Sequence, residues 1–387
     1  MKGIPIMSEE RYTDPPGRVF YLDNLRVFLI TLVIVHHLAI GFGAPGAWYY
    51  VIPATPSYGT ASVLSLFVIV NQAFFMSLFF FVSAYFTPRS LEKKGTRRFI
   101  YDRVVRLGIP LAVYYLILNP TLAYMSFRFR GERECGYLHF MQREGNLYFG
   151  PGPLWFIVAL LLFTGIYMLA AIWFQKRSSR YLTLQYPSNQ TVLLFIVLIT
   201  LITFIVRLLF PMGVLVFGLQ PAFFPLYISF FIFGIQACRN DWLSQLNAHQ
   251  TSLWFRLALL CIIALPFIFE AGGVSRGLGG TFRGGFTIQS LVYVAWESVV
   301  CVGISMKLLT IFRNRINITS TLTSLLSKSA YTVYIIHCFV VITATYLARN
   351  WPLPLLVSML ILIPPVVLAC FFAAHFLRQA PLLNRIL

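Results

Sequence analysis

The sequence has few of the polar residues that a water-soluble protein needs. Only 11% of its 387 residues are charged and 58% are hydrophobic, whereas about 25% of a typical soluble domain is charged. So little polar surface cannot cover a globular protein of this size, and a disordered chain would need low hydrophobicity. A soluble globular protein and a disordered chain are therefore both excluded. What remains is an integral membrane protein, which is surrounded by membrane lipid.

Paired cysteines are also missing. The six cysteines stand singly and never in the CxxC spacing of zinc or redox sites. Most lie in or near apolar stretches, where a thiol packs as a small hydrophobic group. We therefore expect no disulfide scaffold, no metal site and no permanently bound cofactor. The cysteines are Cys135, Cys238, Cys261, Cys301, Cys338 and Cys370.

Acidic residues are scarce as well, with 12 Asp and Glu against 30 Lys and Arg, so the formal net charge is +18. In a soluble protein this excess would suggest a nucleic-acid partner. We expect none here, because cytoplasmic loops of membrane proteins accumulate Lys and Arg.

Long apolar stretches are abundant, and ten of them are long enough for a membrane-spanning helix of about 20 residues. They are too long and too uniformly apolar for transmembrane strands, which alternate. We predict an all-α polytopic membrane bundle of about ten transmembrane helices, forming a single domain over residues 1–387. The predicted spans are 20–42, 62–86, 107–125, 153–174, 191–210, 222–237, 253–270, 287–306, 329–348 and 354–377.

The basic residues alternate from one connection to the next. With ten spans, one set of connections and both termini together carry 20 Lys and Arg, and the other set carries seven. The basic side of a membrane protein faces the cytoplasm. This predicts two cytoplasmic termini, a short cytoplasmic segment 1–18 and a multi-pass protein of the cell (inner or plasma) membrane. The first apolar run is full length and lacks a cleavage site, so it is not a signal peptide.

Ionisable side chains within spans are costly and usually face a cavity or a partner. Arg26 and His37 of the first span are eleven residues apart, which is about three helical turns, so they share one face within about 20° and lie about 16 Å apart along the axis. Arginine binds phosphate bidentately, and a neutral imidazole can take a proton from a hydroxyl. Arg26 could also snorkel to headgroups, and His37 could be a structural histidine bonded to a neighbouring helix.

Three other ionisable groups have weaker patterns. His36 points about 100° away from His37, so we interpret it as structural. Glu297 of the eighth span could orient an imidazole or neutralise Arg207 of the fifth span, and the sequence leaves both possibilities open.

The segments that carry these residues resemble, in order along residues 18–380, the acyltransferase-3 family. That family's first-helix signature is an arginine, ten residues and a histidine, as in YLDNLRVFLITLVIVHH at 21–37. Four further segments are similar: FFFVSAYF at 79–86, where Ala84 replaces the usual glycine, RRFIYDRVVRLGIP at 97–110, GPLWFIVALLLF at 152–163 and SAYTVYIIH at 329–337. The YLDNLR opening is most similar to the glucan biosynthesis protein C branch of this family.

The resemblance implies a membrane O-acyltransferase. Such an enzyme would move an acyl group, acetyl or succinyl, from cytoplasmic acyl-CoA to a hydroxyl of an extracytoplasmic glycan. Arg26 and His37 would be its catalytic pair, with Arg26 binding the donor and His37 acting as general base. Whether His37 also carries the acyl group covalently stays open. The alternative is a transporter or exporter of a glycan or small anion without chemistry.

Further candidate residues follow from this mechanism. With Arg26, the basic turn at 89–106, between the second and third spans, would form a cationic mouth for the phosphates of acyl-CoA. Its candidate side chains are Arg97, Arg98, Arg103 and Arg106. Tyr331, Tyr334 and Asn71 are candidate oxyanion donors by polarity. Trp155 could stack on a sugar or on adenine, although an interfacial tryptophan usually anchors a helix. Glu297 and His337 complete the substrate-side candidates.

Overall fold

The computed structural model describes residues 19–131, 136–143, 149–175 and 183–381, together with residues 383 and 386. The predicted cytoplasmic segment 1–18 and Cys135 lie outside the described residues.

The described chain is built from helices, and ten of these are long and apolar enough to cross a membrane. The prediction of an all-α bundle with ten spans is confirmed; the cytoplasmic orientation of the termini stays a prediction from charge. The ten helices are α1 (Phe20–Gly41), α2 (Tyr58–Tyr85), α3 (Thr87–Phe129), α4 (Trp155–Gln175), α5 (Asn189–Leu209), α6 (Phe224–Arg239), α7 (Ala248–Ala271), α8 (Ile288–Arg315), α9 (Thr321–Ala348) and α10 (Leu355–Leu377).

The largest departure from the predicted boundaries is in α3. The stretch 89–106, expected as a basic turn, is helical, with a single break at Gly95, whose φ is 70°. Lysine and arginine are good helix formers, so a basic stretch can remain helical. The fall in hydropathy here shows where the chain leaves the bilayer, but it does not show where the helix ends. Two π-helical turns, Val104–Gly108 and Tyr114–Leu118, precede the prolines Pro110 and Pro120, consistent with relief of the clash that proline creates in a helix.

Helices α8 and α9 also extend beyond their predicted spans, to Arg315 and from Thr321. A capping box begins α9: the Ser320 side chain accepts from the backbone N–H of Thr323, and the Thr323 hydroxyl accepts from that of Ser320. Such caps satisfy the free N–H groups of a first turn. These extensions carry Arg313, Arg315 and Lys328, so they add positive charge to the end of the bundle where α1 begins.

Side-chain contacts gather the basic connections at that end, which we call the basic end. Asn24 of α1 donates to the carbonyls of Ile316 and Ile318 between α8 and α9, at 2.8 and 2.9 Å. Arg313 donates to the carbonyl of Leu246 between α6 and α7, at 2.8 Å. The opposite end holds the α1–α2 loop and the beginning of α4.

Small residues let neighbouring helices approach closely, as is common in membrane bundles. A Cβ on Gly303 of α8 would lie 2.7 Å from the Cβ of Ala258 on α7. A Cβ on Gly234 of α6 would lie 2.8 Å from the Cβ of Ala84 on α2 and would also collide with the carbonyl of Phe81. The alanine that replaces the family's glycine at position 84 therefore packs against a glycine on α6.

We predict that Gly234→Val destabilises the folded protein, because the added methyl groups would force α2 and α6 apart. Overpacking of this kind typically costs about 1–3 kcal/mol. Gly165→Val on α4 is the matched control, since a Cβ there meets no atom within 4 Å. The thermal midpoint in detergent should fall for Gly234→Val and stay near wild type for Gly165→Val; equal midpoints would contradict this packing.

Candidate active site

Helix α1 is unbroken from Phe20 to Gly41, so Arg26 and His37 keep their three-turn spacing. His37 lies four residues before the end of α1, about 6 Å along the axis, and its side chain is partly exposed. It faces α9, where its Nδ1 is 3.0 Å from Nε2 of His337. His337 itself is fully buried. The sequence grouped His337 with substrate residues, and the structure places it directly against His37.

The contacts of His337 define which nitrogen of His37 carries a proton. Nδ1 of His337 is 2.7 Å from the carbonyl oxygen of Tyr334, and a carbonyl can only accept, so this nitrogen carries the hydrogen. In a neutral ring Nε2 of His337 is then an acceptor, and His37 must donate to it from Nδ1. In this relay Nε2 of His37 carries no hydrogen, so its lone pair can accept a proton, which is the state that a general base requires.

Trp48, from the α1–α2 loop, covers one face of the His37 ring. The two rings stack almost parallel, at 10°, with centroids 4.0 Å apart. The loop is held on both sides. The N–H of Ile52 donates to the carbonyl of Gly41 at 2.9 Å, and Arg130, the residue after α3, donates to the carbonyl of Tyr49 at 2.7 Å. Trp48 was not predicted as a site residue from the sequence. The only indication there was that it is an aromatic residue in a loop rich in glycine and proline.

His36 belongs to a separate, structural contact. It stacks on Phe75 of α2 with centroids 5.0 Å apart, and its Nδ1 lies 3.2 Å from Nδ2 of Asn71. That amide nitrogen also donates to the carbonyl of Leu32 at 3.5 Å. Asn71 is thus directed at the α1–α2 interface and at His36, and both side chains are buried.

Arg26 lies at the basic end, beside the junction of α2 and α3. Its guanidinium is 5.6 Å from the ring centroid of Phe86, the residue before α3, and 3.1 Å from the carboxylate of Asp23. One third of its side chain is exposed. The geometry therefore brings Arg26 to the same end as the basic part of α3, as the sequence predicted for a donor-binding arginine, while its role stays a prediction.

The break at Gly95 opens a basic surface groove of about 520 Å³. Its lining residues are Lys94, Gly95, Thr96, Arg97, Arg98 and Tyr101. Asp102 binds Lys94 at 2.6 Å and Arg98 at 3.3 Å. In the part of the chain that the structure describes, Arg97 has no acidic partner within 4.0 Å. Its guanidinium is accordingly the groove cation best placed for an external anion.

Two other arginines predicted to bind the donor lie outside this groove. Arg103 packs on its own helix, with its guanidinium 5.0 Å from the ring of Phe99 and 3.5 Å from the hydroxyl of Thr87. The side chain of Arg106 is exposed. Of the four predicted arginines of α3, the structure gathers Arg97 and Arg98.

Tyr331 and Tyr334 use their hydroxyls to hold α9 against its neighbours. Tyr331 donates to the carbonyl of Arg106 at 2.7 Å, which is the carbonyl that Pro110, lacking an N–H, cannot satisfy in an α-helical ladder. Tyr334 donates to the carbonyl of Pro153 just before α4. Neither hydroxyl is directed at His37, so the structure does not support either as the oxyanion donor.

A polar cluster that the sequence did not suggest lies beside the histidine pair. The hydroxyl of Tyr49 donates to the side-chain oxygen of Asn119, and Tyr114 donates to the thiol of Cys338 at 3.6 Å. That thiol is 3.5 Å from Nε2 of His337. Burial raises the pKa of Tyr49 above its ordinary value, so its hydroxyl stays a neutral donor. The cluster links the α1–α2 loop, α3 and α9 around the histidines.

Trp155 and Glu297 have structural partners. Trp155 stacks on Tyr227 with centroids 5.4 Å apart. Glu297 accepts a hydrogen bond from Arg207 at 2.6 Å, and both side chains are fully buried. Of the two roles open for Glu297, neutralising Arg207 is the one that the structure shows. Arg207 also donates to the carbonyl of Ala222 at 3.2 Å.

The fold and this site define a multi-pass membrane protein with a base-competent imidazole near one end and a cationic groove at the other. The acyltransferase domain family matches residues 19–375, nearly the whole chain. The chain belongs to this family of membrane acyltransferases, which confirms the resemblance seen in its motifs.

Individual relatives are more distant. The glucans biosynthesis protein C of Salmonella paratyphi B (strain ATCC BAA-1250 / SPB7) is 28% identical over 165 residues, which is 42% of this chain and 41% of that protein. Proteins of the same name from Salmonella heidelberg (strain SL476) and Salmonella enteritidis PT4 (strain P125109) match with the same figures. The chain thus spans 41% of the length of the curated relatives it matches. No solved structure matches it.

We predict that Arg207 and Glu297 are a structural pair. Arg207→Leu and Glu297→Leu should each lower stability by about 3–5 kcal/mol, because each leaves a buried charge unpaired, whereas the double variant Arg207→Leu/Glu297→Leu should be closer to wild type. Thermal midpoints of the four proteins in detergent test this. A double variant less stable than both single variants would contradict the pairing.

Proposed function

We propose that this protein is an O-acyltransferase that moves an acetyl or succinyl group from acyl-CoA, bound at the basic end, to a hydroxyl of a glycan at the opposite end. The observation that carries the proposal is the relay from His37 through His337 to the carbonyl of Tyr334, which leaves Nε2 of His37 as a base. Membership of the acyltransferase family supports the reaction type.

His37 is the general base of this proposal. Its Nε2 removes the proton of the acceptor hydroxyl as that oxygen attacks the thioester carbon, and the imidazolium then returns the proton to the departing CoA sulfur. His337 is a positioning residue, because it fixes the tautomer and the ring orientation of His37 through the 3.0 Å contact. General-base help of this kind typically contributes about 10²–10⁴-fold to the rate.

The donor side is assigned to Arg26 and the groove beside Gly95. Phosphates are anionic acceptors that arginine binds with strong, charge-assisted hydrogen bonds. Arg97 is the groove arginine best placed for them. Arg26 lies at the same end of the bundle, beside Phe86, on the face of α1 that it shares with His37. The basic end then corresponds to the cytoplasm, where acyl-CoA is available, and the membrane is the cell membrane.

The acceptor is assigned to the glycan class because the relatives are named for glucan biosynthesis. An acceptor hydroxyl would approach from the opposite end, since His37 lies only about 6 Å from the end of α1. Transport of a glycan or anion without chemistry is the competing function. Release of free CoA thiol from acyl-CoA by the purified protein in liposomes separates the two, because a carrier leaves the thioester intact.

We predict that His37→Ala abolishes measurable acyl transfer, with a fall of at least about 10²-fold in kcat. His337→Gln should lower kcat less and leave the KM for acyl-CoA nearly unchanged, because the base remains but its tautomer is no longer fixed. Thioester cleavage with a glucan oligosaccharide acceptor measures both, at matched protein levels. His36→Gln, on the structural face of α1, is the control. Full activity of His37→Ala would refute the base assignment.

We also predict that the donor site tolerates neither loss nor reversal of its charge. Arg26→Ala and Arg97→Glu should raise the apparent KM for acyl-CoA by about tenfold or more, the factor that about 1.4 kcal/mol of lost interaction gives. Lys328→Glu is the matched control, because this exposed lysine lies at the basic end but outside the groove. Equal KM values for Arg97→Glu and Lys328→Glu would rule out the groove as the donor site.

A further inference from the structure

The proposed reaction needs a hydrogen-bond donor that the mechanism so far does not supply. Attack on a thioester turns its carbonyl oxygen into an oxyanion, and a positioned donor at that oxygen is commonly the largest catalytic contribution.

The three candidates named by polarity and the two tyrosines of the polar cluster already have acceptors. Tyr331 and Tyr334 donate to backbone carbonyls, and Asn71 donates to Leu32. Tyr49 donates to Asn119 and Tyr114 to Cys338.

One donor beside His37 is unused. The indole Nε1 of Trp48 is buried and has no hydrogen-bond partner among the described residues. A buried N–H without a partner costs about 1–3 kcal/mol, so a native protein rarely keeps one without a reason. This N–H belongs to the ring that lies over the imidazole of His37, at 4.0 Å between centroids. Among the buried side-chain atoms of the described residues that have no hydrogen-bond partner, Nε1 of Trp48 is the one that belongs to a ring in contact with His37, the proposed base.

We infer that Trp48 is a catalytic residue whose Nε1–H donates to the acyl carbonyl oxygen as the oxyanion forms. This inference rests on the proposed function and adds the oxyanion donor to it. It replaces Tyr331, Tyr334 and Asn71, which were candidates by polarity alone.

The step balances without any further reactant. The acceptor oxygen forms a bond to the acyl carbon while its proton moves to Nε2 of His37, and the electron pair of the C=O bond moves to oxygen, where Nε1–H of Trp48 binds it. When the oxyanion collapses, the C–S bond breaks and the CoA sulfur takes the proton from His37. The indole face also attracts the imidazolium that exists between these two events.

The decisive comparison separates the N–H from the ring. Trp48→Phe keeps an aromatic ring over His37 but has no N–H. Replacement of Trp48 by β-(3-benzothienyl)alanine keeps the size and shape of indole and substitutes sulfur for the N–H, so it retains the packing even where phenylalanine does not. Trp48→Leu removes both features. Trp351→Phe, at the same end of the bundle, is the control for the chemical change.

We expect kcat to fall by about 10²–10³-fold for Trp48→Phe and for the benzothienyl variant, as for other single oxyanion donors. In both variants the KM for acyl-CoA should change less than about threefold. The kcat of Trp48→Leu should be lower still, because that variant loses both the N–H and the ring. Trp351→Phe should match wild type, and thermal midpoints should stay within a few degrees for the benzothienyl variant.

A kcat within twofold of wild type for the benzothienyl variant would overturn the inference, because the N–H would then be dispensable. If the His37→Ala variant is inactive in the same assay, the proposed function stands and only the role of Trp48 fails. If His37→Ala keeps full activity, the proposed function itself fails.

Discussion

The arrangement of the site depends on one constraint: inside a bilayer, a polar group must find its partner within the protein. Helix α9 supplies several of these partners near the site. Tyr331 and Tyr334 satisfy backbone carbonyls of α3 and of the turn before α4, and His337 accepts from His37 of α1. The same hydrogen bonds that hold the helices together therefore orient the imidazole. Packing and chemistry are not separable in this part of the molecule.

The fold could be predicted from the sequence because hydropathy reports directly on lipid burial. All ten spans were found, and most helix ends agree within a few residues. The errors lie where helices leave the hydrocarbon: the basic part of α3 and the extensions of α8 and α9 remain helical although they are polar. Helix propensity and capping control these ends, and hydropathy reports on neither. The break at Gly95 could not be placed, since a glycine in a polar stretch is compatible with a turn as well.

The site was only partly predictable. Helical periodicity and the family resemblance singled out Arg26 and His37, because both are local properties of α1. The relay to His337 joins residues 300 positions apart, and such a pairing depends on how α1 meets α9. The tyrosine hydroxyls show a second limit of the sequence. Their polarity identifies Tyr331 and Tyr334 as possible donors, but only the structure shows that both hydroxyls already donate to backbone carbonyls. Trp48 carried no periodic signal because it lies in a loop.

The sequence separation of the two histidines also has a consequence for biosynthesis. At the usual translation rates of about 5–20 residues per second, His37 is made roughly 15–60 seconds before His337. During that interval the nascent α1 has no imidazole to accept from His37, so the tautomer of His37 is not yet fixed. The contact between the two histidines therefore forms only when the ninth helix has been inserted, and a chain interrupted before that helix would lack the relay on which the proposed mechanism depends.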